Sequence, residues 1–217
     1  MILVNEIAKF DFNREELVNR ILEDQIDRDF VLNQILTNDD IMVYYQCFYL
    51  LQDATEMKPL LFYKYWNNIV ELLYHKNSYH RDIAVTLLAN LVIVDCENRF
   101  DEVLSDYLKI LYDDKFKTAV SCIRCFKKIL PIRIDLIGIV FKNLIEHYKK
   151  TNYSEKQEEY ISGEISSLFD QVFDNLDTSQ KTVAVDFICN GIKSKSPKTK
   201  KICKEIIKKR NITIAST

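Results

Sequence analysis

"SYHRDIAVTLLANLVIVD", residues 78–95, is the stretch whose reading decides the fold. Its His80-Arg81-Asp82 matches the opening of a protein-kinase catalytic loop. That loop needs an Asn five residues after the Asp, because the amide holds a metal ion beside the transferred phosphate. Leu87 stands at that place, and the nearest Asn, Asn90, comes three places late. The chain's glycines, Gly138, Gly163 and Gly191, build no phosphate-covering loop, and no D-F-G follows. The kinase match is a coincidence of three residues. A helix accounts for the stretch better. Ile83, Leu87, Leu88, Leu91 and Val94 recur at spacings of three and four, which lines one face of an amphipathic helix. Ala84 is the small residue on that face, where a neighbouring helix can come close. Ser78 and its polar neighbours lie where the helix would start.

The same pattern, a small residue with apolar residues three and four places on, recurs along the chain. It reads Cys47 with Leu50 and Leu51, Ala84 with Leu87 and Leu88, and Ala119 with Cys122 and Ile123. It continues weakly as Ser162 with Ile165 and Ser166, and returns as Cys203 with Ile206 and Ile207. Successive small residues are 37, 35, 43 and 41 positions apart. Other amphipathic segments fall between them, at 60–75, 99–112, 135–149 and 178–193, and an earlier pair is expected at 14–24 and 28–36. The chain therefore reads as helix pairs at a period near 40. One such pair cannot bury its apolar face alone, so stacking on neighbours has to supply the core.

Composition agrees. Three Gly and three Pro in 217 residues leave too little turn chemistry for a sheet-rich fold. Hydrophobic residues at 47% and charged residues at 29% suit a soluble globular chain. No apolar run reaches the roughly 18 residues of a membrane span. The N-terminus, "MILVNEIAKFDFNREE", lacks the basic start of a signal peptide, so the cytoplasm is the expected location. Of six cysteines, only Cys122 and Cys125 form a C-x-x-C, and no second pair or clustered His completes a zinc site. They read as a buried i, i+3 pair on a helix.

The segment "RDIAVTLLANL" resembles the second helix of a HEAT repeat, the family of armadillo-like helical arrays. There an Arg is followed by a small residue three places on, and then by Leu at four and seven beyond that. Arg81, Ala84, Leu88 and Leu91 match position by position. The other units have Tyr44, Phe116, Glu159 and Lys200 in place of the Arg. The resemblance implies an all-α, right-handed α-α superhelix of about five helix pairs. Residues 1–217 would form a single solenoid domain, with a basic capping helix at about 196–210. In the family the Arg helps tie one repeat to the next, and Arg81 inherits that structural role. The resemblance says almost nothing about a ligand.

Two surfaces are candidates for function. Residues 44–66 are rich in aromatics, with Tyr45 and Tyr49 on one helical face and Tyr44 and Phe48 on another. Tyr44, Tyr45, Tyr49 and Trp66 are read as partner-binding residues. Tyrosine and tryptophan bury large area at low entropic cost, although packing between units is the plainer account. Residues 193–210 carry nine Lys or Arg against Glu205, while the whole chain has a net charge of −2, so the remainder is strongly acidic. Lys198, Lys200, Lys201, Lys204, Lys208 and Lys209 form a basic patch. It reads either as a solvated cap or as a surface for an acidic partner. The acidic body opposes nucleic acid.

Catalytic groups are scattered. His75 and His80 are five apart and do not share a helical face, and His147 is isolated; all three are expected at surfaces or boundaries. Asp39-Asp40, Asp113-Asp114 and Glu158-Glu159 are expected at helix starts, where carboxylates cap orphan amides. No nucleophile elbow, P-loop or H-E-x-x-H is present. The expected role is a non-enzymatic interaction scaffold without metal or cofactor, binding another protein or a basic peptide. A HEAT-like alkylpurine glycosylase is the alternative enzyme. It would need a carboxylate and aromatics in a basic groove, and Trp66 has no basic neighbour in sequence beyond Lys64. A small cytosolic immunity or inhibitor protein differs from a scaffold only in its partner.

Overall fold

Helix caps set the boundaries of most elements. Asn13, Asp24, Asp40 and Asn77 each turn a side-chain oxygen onto an amide two or three residues ahead. Such caps stabilise a helix by about 0.5–2 kcal/mol each. The computed structural model describes residues 2, 4–8, 13–147 and 150–213, which contain twelve α-helices and no strand. Residues 1, 3 and 9–12 of the N-terminal stretch, and 148–149 of the segment expected at 135–149, lie outside the described residues.

The chain divides into two compact units, Met1–Leu104 and Ser105–Thr217. The first holds α1 (Val4–Ile7), α2 (Arg14–Glu23), α3 (Gln25–Thr37), α4 (Ile41–Met57), α5 (Trp66–Glu71) and α6 (Ser78–Leu91). The boundary falls within α7 (Arg99–Lys109). The second unit continues with α8 (Phe116–Ile129), α9 (Ile137–Glu146), α10 (Glu155–Val172), α11 (Thr178–Gly191) and α12 (Pro197–Arg210). α12 begins where a basic terminal helix is expected: Ser196 caps it and Pro197 starts it. Single 3₁₀ turns close several helices, at Leu72–Tyr74, Val92–Val94, Ile110–Tyr112 and Phe173–Asn175.

Alternate helices pack on one another in each unit. α4 lies against α2, α3 and α6, and α10 lies against α8, α11 and α12. The small-residue stripe supplies these contacts. Cys47, Ala84, Ala119 and Cys203 are fully buried, and Ile83, Leu87, Leu88 and Leu91 fill the rest of the α6 face. Each such aliphatic side chain contributes about 1.5–3 kcal/mol on burial. The stripe shifts by one residue in α10. Ser162 is half-buried, and Gly163 makes the close approach instead. A Cβ on Gly163 would lie 2.7 Å from Thr199 Oγ1 and 3.3 Å from its Cα, so α10 meets α12 backbone against side chain there. Ser166, one turn on, sits 3.6 Å from the Cys203 Sγ.

The histidines meet the expectation in part: His80 stands in the first turn of α6 and His147 caps the end of α9, yet both are buried rather than at the surface. The 3₁₀ turn before α6 folds His75 back over His80 with ring centroids 4.1 Å apart. No helical wheel could bring these two rings together, because a turn and not a helix joins them. The Nε2–H of His80 donates to the Ile35 carbonyl at 3.1 Å, and its ring lies 4.7 Å from that of Tyr44. His147 stacks on Tyr112 at 5.9 Å. Arg81 donates to the carbonyls of His75 and Lys76, in the turn that leads into its own helix. The cysteines of the C-x-x-C are both buried on α8.

The acidic pairs divide as well. Asp40 caps α4, and Asp113 receives the Lys115 amide before α8. Glu158 lies in the first turn of α10 as expected, Glu159 follows just inside it, and the cap itself is a Ser154–Gln157 capping box. Glu159 receives the Ser194 hydroxyl and the Ser196 amide, and so holds the loop that opens α12.

Candidate functional site

One face of α4 carries Met42, Tyr45, Gln46, Tyr49 and Asp53, all within a narrow arc at about 100° per residue. Tyr79 and Asp82 lie on the neighbouring α6. Tyr45 is the hub. Its ring makes edge-to-face contacts with Tyr49 at 5.1 Å and with Tyr79 at 5.5 Å. Tyr45 and Tyr49 are half-buried, while Tyr79 is 42% and Met42 50% exposed. The surface is therefore aromatic, partly open and edged by carboxylates.

Arg14 of α2 already uses this surface. Its guanidinium carbon stands 5.1 Å from the centre of the Tyr49 ring. It forms a two-pronged ion pair with Asp53 at 2.5 and 2.6 Å, and also donates to the Tyr49 carbonyl. The negative face of a phenol ring attracts cations, and the neighbouring carboxylate fixes where the cation sits. Burial, with Tyr49 and Asp82 beside it, pushes the Tyr45 hydroxyl up to about 12. It stays a neutral donor in any physiological buffer.

Two of the expected site residues belong to the core. Tyr44 is 3% and Trp66 2% exposed. The Tyr44 hydroxyl accepts from Asn77 at 3.2 Å, and Trp66 packs against Tyr63. Arg99 reaches within 6.0 Å of the Trp66 ring, a basic neighbour that lies 33 positions away in sequence. With Trp66 sealed, that pair lines no groove. Tyr79, Met42 and Arg14 are the residues that sequence reasoning missed. Met42 was findable, three residues before Tyr45 on the same face. Tyr79 and Arg14 depend on the α2–α4–α6 packing.

The expected basic patch divides in two. Lys198 approaches Glu164 and the Tyr160 hydroxyl at 3.1 and 2.9 Å, and Lys209 bonds Asp170 at 2.7 Å. Arg210, outside the expected set, holds both Asp170 and Asp174. Lys200, Lys201, Lys204 and Lys208 are exposed, with no ion pair among the described residues. Glu164 is the centre of the paired half: Arg124, Lys127 and Lys198 converge on it at 2.8–3.2 Å. Burial alone would raise its pKa, but these three cations hold it down at about 2.

A cleft of about 460 Å³ also opens beside α10 and α11, lined by Glu155, Glu158, Glu159 and Phe187. Glu155 is paired with Lys195, and Glu159 with the loop before α12, so two of its carboxylates already serve the fold. Among the described residues no group of His, Cys, Asp and Glu is placed to hold a metal ion. No described helix is long and apolar enough to cross a membrane. Comparison with protein-family models finds no match, and comparison with curated proteins finds none either.

Proposed function

We propose that this chain is a non-enzymatic interaction scaffold, an α-solenoid of about five HEAT-like helix pairs that docks a basic segment of another protein. The packing of alternate helices in each unit supports the repeat reading. The observation that carries the docking site is Arg14 seated on Tyr49 and clamped by Asp53, beside two further partly open tyrosines. An incoming Arg or Lys would meet the same ring chemistry on Tyr45 and Tyr79. Each such contact contributes about 0.5–2 kcal/mol. Met42 supplies a flexible apolar edge that adapts to the partner.

The test is a panel of displayed peptides screened against the wild type and against Tyr45→Ser/Tyr79→Ser. The wild type should select sequences rich in Arg or Lys, and the double variant should lose about tenfold in affinity for them. Melting curves of both proteins check that the variant is folded. Selection of apolar or acidic peptides, or equal binding by a folded double variant, would overturn the assignment.

A further inference from the structure

The basic residues of α12 fall on two sides of the helix. Lys198, Lys209 and Arg210 turn toward α10 and meet Glu164, Asp170 and Asp174. Lys200, Lys201, Lys204 and Lys208 fall within an arc of about 100° on the other side, spread over about 12 Å of helix. Lys200 with Lys204, and Lys204 with Lys208, are like-charge pairs one turn apart, an arrangement that weakens a helix. None of the four forms an ion pair among the described residues, and the one carboxylate of this helix, Glu205, stands at the edge of the face, one turn from Lys201 and Lys208. An isolated helix face has no need of such repulsion.

We propose that the outward face of α12, carrying Lys200, Lys201, Lys204 and Lys208, docks an acidic amphipathic helix from a partner protein. The molecule contains its own precedent, because α10 is an acid-bearing helix seated on the opposite side of α12. Its carboxylates meet Lys198, Lys209 and Arg210 at 2.7–3.1 Å. The outward face repeats the cationic half of that arrangement with the anionic half left unfilled. Its charges recur every four residues, about 6 Å, which is also the spacing of Glu or Asp on one stripe of a second helix.

Two observations favour a protein partner over a phosphate polymer. The face carries neither Arg, whose planar fork suits phosphate, nor an aromatic ring on which a base could stack. The chain outside 193–210 is strongly acidic and would repel an extended polyanion, whereas a short acidic helix keeps its charge beside α12. This surface is separate from the tyrosine face of α4 and α6, and takes a partner segment of opposite charge.

The test uses fluorescence anisotropy at low salt. The probe is a labelled helical peptide with Glu at every fourth position, beside an isomer of the same composition with its Glu residues scattered. The full chain should bind the patterned peptide, and added salt should weaken that binding. Replacing Lys200, Lys201, Lys204 and Lys208 with Gln should lower the affinity by about tenfold or more. The control Lys58→Gln/Lys76→Gln/Lys117→Gln/Lys142→Gln changes net charge equally and should leave binding in place. The stripe variant should melt no lower than the wild type, since it relieves like-charge repulsion. Equal loss in both variants would reduce the effect to net charge and overturn the proposal. So would indifference to the Glu pattern, or no binding at all. Tighter binding to duplex DNA or to phosphatidylserine vesicles at the same salt would overturn the choice of a protein partner.

Discussion

The α2–α4–α6 face of the first unit and the α8–α10–α12 face of the second are built alike and finished differently. Each sets tyrosine on a middle helix and brings a cation to it from a neighbouring one. In the second unit Tyr160 lies between Lys198 at 4.4 Å and Arg124 at 6.0 Å, and both cations also bond Glu164. In the first unit Arg14 sits on Tyr49 and pairs with Asp53, tying α2 to α4, while Tyr45 and Tyr79 lean on each other at the surface with no cation over either ring among the described residues. The difference teaches where the chemistry is used. The second face spends its charges on tying three helices together, and the first keeps part of its aromatic surface open.

The sharpest way to break this comparison is at Glu164. Glu164→Gln should cost on the order of 3 kcal/mol, because a carboxylate 7% exposed satisfies three cations. The sign with pH follows from its depressed pKa. The stabilisation is complete above the ordinary value of 4.5 and is lost as pH falls toward about 2. Urea midpoints measured from neutral pH downward should therefore decline less steeply in the variant. A cost near zero would mean that the network is surface decoration and that the two faces do not differ in kind.

The next test compares the close contacts of the units. Ala84→Phe in the first and Gly163→Ala in the second should each destabilise by about 1–3 kcal/mol, through overpacking. Gly163→Ala is the more telling, since one methyl group must displace Thr199. If it melts with the wild type, α10 and α12 are not in the contact described.

How much of this could be read beforehand depends on what each residue reports. Ala84 and Ala119 announced their faces, because large apolar residues follow them at three and four. Gly163 did not: glycine reads as a breaker, and Ser162 took its place in the pattern. The tyrosine pair at 45 and 49 was legible from helical spacing alone. Burial of Tyr44 and Trp66 was not, because it depends on which neighbouring helices cover them. The charge of 193–210 was plain, but its division into paired and unpaired lysines follows from the direction of each side chain around α12.

A smaller effect should come from the histidines. Burial, then the neighbouring His75, lowers the pKa of His80, and burial lowers that of His147. The groups facing His80 are His75, Tyr44 and the Ile35 carbonyl. A depressed histidine favours the fold fully above its ordinary 6.5, and the advantage fades as pH drops below that value. Melting temperature should fall between neutral and mildly acidic pH, and His80→Gln should flatten that slope. A slope unchanged in a folded variant would remove His80 from the account.

The 3₁₀ turns that close the helices have a consequence for the unfolded chain. Helices commonly end on a left-handed glycine, and each glycine adds backbone freedom that folding must remove. Here left-handed backbone occurs, among the described residues, only at Asn98 and Asn211. Gly138, Gly163 and Gly191 all lie within helices. By ending its described helices without left-handed glycine caps, and with only three glycines in the sequence, the chain leaves its denatured ensemble with fewer accessible states, and part of the stability of the native fold is set by that restriction before any contact forms.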